Sequence, residues 1–195
     1  GVNDTAADGD LGYDISLSAA DRVSHDNPAV TTVAGSSYGF ADATGTSAQF
    51  KYPYGITSDG TNFYVADTYN HRIRKIVIST GVVTTLAGSG TTGSTDATGT
   101  SAKFYYPRGI TNDGTNIYVA DSYNNKIRKI VISTGVVTTL AGYTSSGSTN
   151  GTGTGARFYR PYGITIDGTN LYVADRSNHR IRKIVISTGV VTTLA

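Results

Sequence analysis

A period of 54 residues runs through this chain. Pro53, Pro107 and Pro161 are spaced by 54, and so are Gly81, Gly135 and Gly189. The stretch 55–88, GITSDGTNFYVADTYNHRIRKIVISTGVVTTLAG, returns at 109–142 with 29 of 34 positions unchanged. The third copy, 163–195, departs from the first only at Ile166, Leu171, Arg176 and Ser177. Segments this alike fold as one supersecondary unit, so one reading serves all three.

Within a unit, Gly-Ile-Thr leads into Asp59-Gly60-Thr61-Asn62, residues that tolerate a turn with positive φ. Phe63–Ala66 is an apolar, β-rich run that ends at Asp67. Thr68–His71 reads as a loop, Arg72–Ile78 as a third strand and Val82–Ala87 as a fourth, with Ser79-Thr80-Gly81 turning between them. The first two strands carry few charges and the third carries three, which predicts a sheet buried at its inner edge and wetter outside. Four antiparallel strands repeated at this period predict an all-β fold, a β-propeller of four-stranded blades. One blade buries too little alone, so its neighbours must supply the core. A β-solenoid is the alternative, but its repeats are usually shorter.

Composition agrees. The chain holds 195 residues, the length of one domain or one repeat array. Glycine at 24 residues argues for turns and against a helical bundle. There is no cysteine, which excludes disulfides and thiolate metal sites. A net charge of +2 with no basic block gives no nucleic-acid footprint, and no apolar run approaches a membrane span. The absence of methionine marks the expected product as processed or a fragment.

The pattern Pro-x-Gly-Ile-Thr-x-Asp-Gly-Thr-Asn-x-Tyr-Val-Ala-Asp-x-x-Asn-His-Arg-Ile-Arg-Lys-Ile resembles the NHL-repeat family of propellers over residues 50–195. The residues that name the family fall on Asn70-His71 and Asn178-His179; the middle copy has Asn124-Asn125. Repeats are expected at 36–88, 89–142 and 143–195. Residues 1–35 are either a degenerate first blade or a leader, because Asn27–Gly35 matches the fourth-strand ending.

Three clear blades leave two blade faces without partners. Copies can complete a ring or stack head-to-tail into a fibre, or the chain is a piece of a longer one. The uncharged VVTTLA edge also favours pairing with another chain. The joining segments, of about 20 residues, are rich in Gly, Ser and Thr and end in Ala-x-Phe (Phe50, Phe104, Phe158) before Pro. The Phe is expected to anchor each segment between blades. Solvated linkers are preferred over O-glycosylated ones.

Loops from strand four to strand one and from strand two to strand three emerge on one face. They carry Lys51, Tyr52, Tyr54, Tyr69 and His71; then Tyr105, Tyr106, Arg108, Tyr123 and Asn125; then Tyr159, Arg160, Tyr162 and His179. Such a face suits a glycan, a peptide or another propeller, although some of these tyrosines are expected to pack between blades. Asp67, Asp121 and Asp175, each with an Asn three residues on (Asn70, Asn124, Asn178), recur in every copy and are assigned to loop structure. Some NHL-like lyases hold zinc with three His from different blades; only His71 and His179 are in register here, and His25 lies apart. Asp4, Asp8, Asp10 and Asp14 are the type of ligand calcium takes, but the run fails the EF-hand pattern and reads as a solvated acidic turn. Arg74 and Lys75 fall on opposite strand faces, so the third strand makes no basic stripe. Its cations are expected to pair with Asp and carbonyls of the next blade.

The sequence thus predicts a non-enzymatic, extracellular propeller without a cofactor, acting as a self-associating structural element. The alternatives are a module that binds glycan or peptide on its tyrosine face, and a metal-dependent lyase or lactonase.

Overall fold

The computed structural model describes residues 29–195. The acidic run Asp4–Asp14, His25 and most of the proposed degenerate blade lie outside them. Within the unit Thr32–Ala195 the first blade is β1 (Pro53–Ser58), β2 (Asn62–Asp67), β3 (Arg72–Val77) and β4 (Val83–Ala87). The second is β5 (Pro107–Asn112), β6 (Asn116–Asp121), β7 (Lys126–Val131) and β8 (Val137–Gly142). The third is β10 (Ile164–Ile166), β11 (Asn170–Asp175), β12 (Arg180–Val185) and β13 (Val190–Thr193), with β9 (Gly151–Thr152) on its outer edge. All pairings within these sheets are antiparallel and between chain neighbours, β9 on β13 apart. The first strands β1, β5 and β10 lie side by side.

The turn chemistry is the one the sequence implies. Asp59 Oδ1 accepts from the amides of Thr61 and Asn62 at 2.8 and 2.7 Å, and the Tyr64 hydroxyl donates to Asp59 Oδ2 at 2.8 Å. Asp113 and Asp167 repeat the arrangement with Tyr118 and Tyr172. Burial opposes ionisation of Asp59, but these donors outweigh it and hold the carboxyl well below the usual range.

Alternation along the second strand builds the core. Tyr64 and Ala66 point toward the second blade and pack with Ile117, Val119 and Phe104; Tyr118 and Ala120 repeat this against Leu171, Val173 and Phe158. Phe104 and Phe158 are fully buried between blades. The predicted burial gradient needs correction. Burial peaks at the second strand, not at the first, because β2 and β6 have a blade or a connecting segment on each face. The β1 strand is largely exposed.

Two further expectations are corrected, one wholly and one in part. The VVTTLA edge is not free. The connecting segment before each blade returns along that blade's fourth strand, where the Val83 amide donates to Ala43 O and the Gly45 amide to Gly81 O, at 2.8 and 2.9 Å. Ala97, Gly99 and Gly153 make the equivalent bonds. Asp42 Oδ2 takes the Thr85 amide at 3.0 Å, so the edge donors are already spent within the chain. The strand-three arginines divide: Arg72 does reach the segment of the next repeat, donating to Ser89 O at 2.9 Å, but Arg74 stays within its own. Arg74 ion-pairs with Asp67 of its own blade at 2.7 Å and with Asp42 of its own connecting segment at 2.6 Å. Finally, Ala29–Gly35 forms no strand. Gly35 does take the left-handed φ of 96°, like Gly88 and Gly142, so the turn that closes the motif is present in the described residues.

Candidate functional site

Each Asp at the end of a second strand organises the loops around it. The fully buried Asp67 accepts from the Lys51 amide at 2.8 Å through Oδ1, and from Asn70 Nδ2 and Arg74 through Oδ2. Asn70 Nδ2 also donates to Gly39 O at 2.7 Å. Arg74 is fully buried and adds bonds to Gln49 O and Ala41 O. The same clamp recurs as Asp121–Asn124–Arg128 and Asp175–Asn178–Arg182. Burial pushes the Asp121 carboxyl up, against the pull of Arg128. In the third copy Asn150 replaces the outer aspartate and Arg182 keeps one ion pair. These carboxylates are spent on holding the two loop sets together.

The clamps set up the joints between blades. Among the described residues six non-glycine residues adopt positive φ, and they fall at two repeat positions: Tyr52, Tyr106 and Arg160, and His71, Asn125 and His179. The two positions meet across each joint. The Tyr106 amide donates to His71 Nδ1 at 3.2 Å, and the Arg160 amide donates to Asn125 Oδ1 at 2.9 Å. Asn125 thus does what His71 does, which accounts for the middle copy's departure from Asn-His. Burial, with Lys51 and Arg72 nearby, pulls the His71 pKa below its ordinary value. Thr68 and Ser122 complete the joints by donating to the carbonyls of Pro107 and Pro161, both at 2.6 Å.

The strained loops project their side chains to one face, where tyrosines form a row. Ring centroids step from Tyr38 to Tyr52, Tyr69, Tyr106 and Tyr123 at 5.7, 4.8, 4.8 and 4.9 Å, in tilted or edge-to-face contact. Arg160 takes the next place, 4.6 Å over Tyr123. Nearer the first strands, the Arg108 guanidinium sits 5.2 Å from Tyr54 and 4.3 Å from Tyr162. Of the residues predicted for this face, Tyr54, Tyr69, His71, Tyr106, Arg108, Tyr123 and Tyr162 are therefore brought together. His179 is exposed and stands apart from the row. Sequence reasoning missed Tyr38, which lies in a joining segment read as linker, and Arg176, which reaches within 5.5 Å of Tyr162. Among the described residues no three His, Cys, Asp or Glu side chains converge as a metal-ligand set.

Residues 158–184 match the family model of the NHL repeat. Human NHL repeat-containing protein 2 is 33% identical over 168 residues, 80% of this chain and 22% of its own length. The chain thus spans about a fifth of that relative. A solved structure of a structural genomics protein of unknown function from Bacteroides thetaiotaomicron superposes with a TM-score of 0.61 at 30% identity, over 67% of this chain and 34% of that one. An auxiliary nutrient binding protein from the same organism gives 0.58 at 24% identity, over 72% and 37%, a likeness of fold alone.

Proposed function

This is a chain of NHL repeats with a β-propeller fold, and from that premise we propose that it is a non-enzymatic, extracellular scaffold whose blades associate with those of a second copy. The observation that carries the reading is a pair of blade faces that no further blade covers among the described residues. On the first blade, Phe50, Ile56, Phe63, Val65 and Ile76 line an open groove of about 480 Å³. The equivalent residues of the second blade, among them Phe104, Ile110 and Ile117, are packed beneath the first blade. Ile110 is 7% exposed where Ile56 is 60% exposed. At the far side, Ile181 is 41% exposed, whereas Ile73 and Ile127 are fully buried under the following blade. Covering the exposed half of such a side chain is worth about 1 kcal/mol.

Near-identity of the repeats makes the third blade's face chemically the one that already covers the second blade. His179 offers the ring nitrogen that Tyr106 uses at the first joint, and the exposed Tyr52 offers the matching amide. Arg176 occupies the position from which Thr68 and Ser122 donate to a Pro carbonyl. Low charge and hydroxyl-rich joining segments support an extracellular setting. Light scattering of the full chain over a range of concentrations tests the assembly. The expected result is a mass of about twice 20.4 kDa or more, rising with concentration. A single mass near 20.4 kDa at every concentration would remove it.

A further inference from the structure

The copies agree at most positions of 55–88, 109–142 and 163–195, but the four residues that precede each of these stretches differ from blade to blade. Positions 51–54 read KYPY, 105–108 read YYPR and 159–162 read YRPY. Scaffold positions repeat; residues that differ from blade to blade build something asymmetric. The result is a cluster at the second joint, where Arg108 approaches Tyr54, Tyr123 and Tyr162 at 5.2, 5.6 and 4.3 Å. Arg160 lies 4.6 Å from Tyr123, and Arg176 lies 5.5 Å from Tyr162. Three guanidinium groups therefore share two rings.

No carboxylate answers them among the described residues. Residues 29–195 hold 15 basic and 8 acidic side chains, a net of +7, because residues 1–28 hold six of the 14 acids and one of the 16 bases. Five of the eight, Asp42, Asp67, Asp96, Asp121 and Asp175, are bound to Arg74, Arg128 and Arg182. The other three, Asp59, Asp113 and Asp167, are held in turns beneath tyrosine hydroxyls. The Nε of Arg108 is buried and has no hydrogen-bond partner there. Like charges gathered without a counter-charge raise the local potential and favour an anion.

We infer that the Arg108–Tyr162–Arg160 cluster binds a carboxylate-bearing saccharide. A guanidinium fork matches a planar carboxylate with two parallel bonds. Tyrosine rings give the apolar face of a pyranose a flat support and give its hydroxyls a partner. The row's rings are filled on their faces by one another's edges, which leaves little room for nucleobases to stack between them. The cluster lies within one chain, so it does not depend on association between copies.

The test is calorimetric titration of the full chain with trigalacturonate, with neutral maltotriose and a single-stranded oligothymidylate as comparison probes. Saturable binding of trigalacturonate alone is expected. It weakens at least about tenfold in Arg108→Gln and severalfold in Arg160→Gln, and at least about tenfold as salt rises from about 0.05 to 0.5 M. Arg160 is exposed, so its variant carries the test should Arg108→Gln fail to fold. Three results would overturn the inference: no saturable binding of trigalacturonate, equal binding of maltotriose or the oligonucleotide, or wild-type affinity in the folded arginine variants.

Discussion

At the scale of single residues, the joints between blades depend on acceptors aimed at strained backbone amides. His71 must be neutral at Nδ1 to accept from Tyr106. Its folded pKa lies below the ordinary value of 6.5, so the unfolded chain binds the proton more readily. The stability it contributes is full above about pH 6.5 and is lost as pH falls from there through the folded pKa. His71→Asn, which copies the Asn125 solution, should flatten this loss between about pH 7 and 5 in urea unfolding without harming the fold at pH 8; an unchanged pH profile would contradict it. The clamps carry more. Arg128 and Asp121 are both fully buried, so Arg128→Ala should cost about 3–5 kcal/mol in the same assay. The Asp-x-x-Asn spacing was legible because it recurs and lies within one loop. The arginine's partner was not, because Asp42 and Arg74 are 32 residues apart and nothing local connects them.

At the scale of elements, the strand order followed from alternation, β-branched runs and Asp-Gly turns, and the 54-residue period fixed the unit. The sense of the burial gradient did not follow. Charge on the third strand suggested a wet strand, yet Arg74, Arg128 and Arg182 are fully buried beneath the connecting segments. Those segments read as linkers because their Gly, Ser and Thr residues carry no periodicity. Their role as caps on the fourth strand depends on distant backbone pairing that composition does not encode. The buried Phe at the end of each segment is the anchor. Phe104→Ala should destabilise by about 3–5 kcal/mol. Phe50→Ala, which removes a side chain bordering the open groove, should cost distinctly less. Equal losses in thermal unfolding would deny that the two sites differ in cover.

At the scale of the molecule, tight approach of the first strands makes one glycine position diagnostic. A Cβ at Gly55 would strike the carbonyl oxygen of Arg108, and one at Gly109 would strike that of Tyr162. At Gly163 an added Cβ meets only the Ala174 side chain, at 3.7 Å. Gly109→Val should therefore unfold the joint it occupies. Gly163→Val should leave the folded chain intact and collide only with a further blade placed as the existing ones are. The repeat period made stacked blades legible, but a sequence of near-identical copies cannot say which face is covered and by what. The most direct measurement is the mass of Gly163→Val beside the wild type, by light scattering at matched concentration with circular dichroism to verify folding. Blade-on-blade stacking predicts an associating wild type and a monomeric, fully folded variant of about 20 kDa. Association of the variant equal to that of the wild type would contradict blade-on-blade stacking.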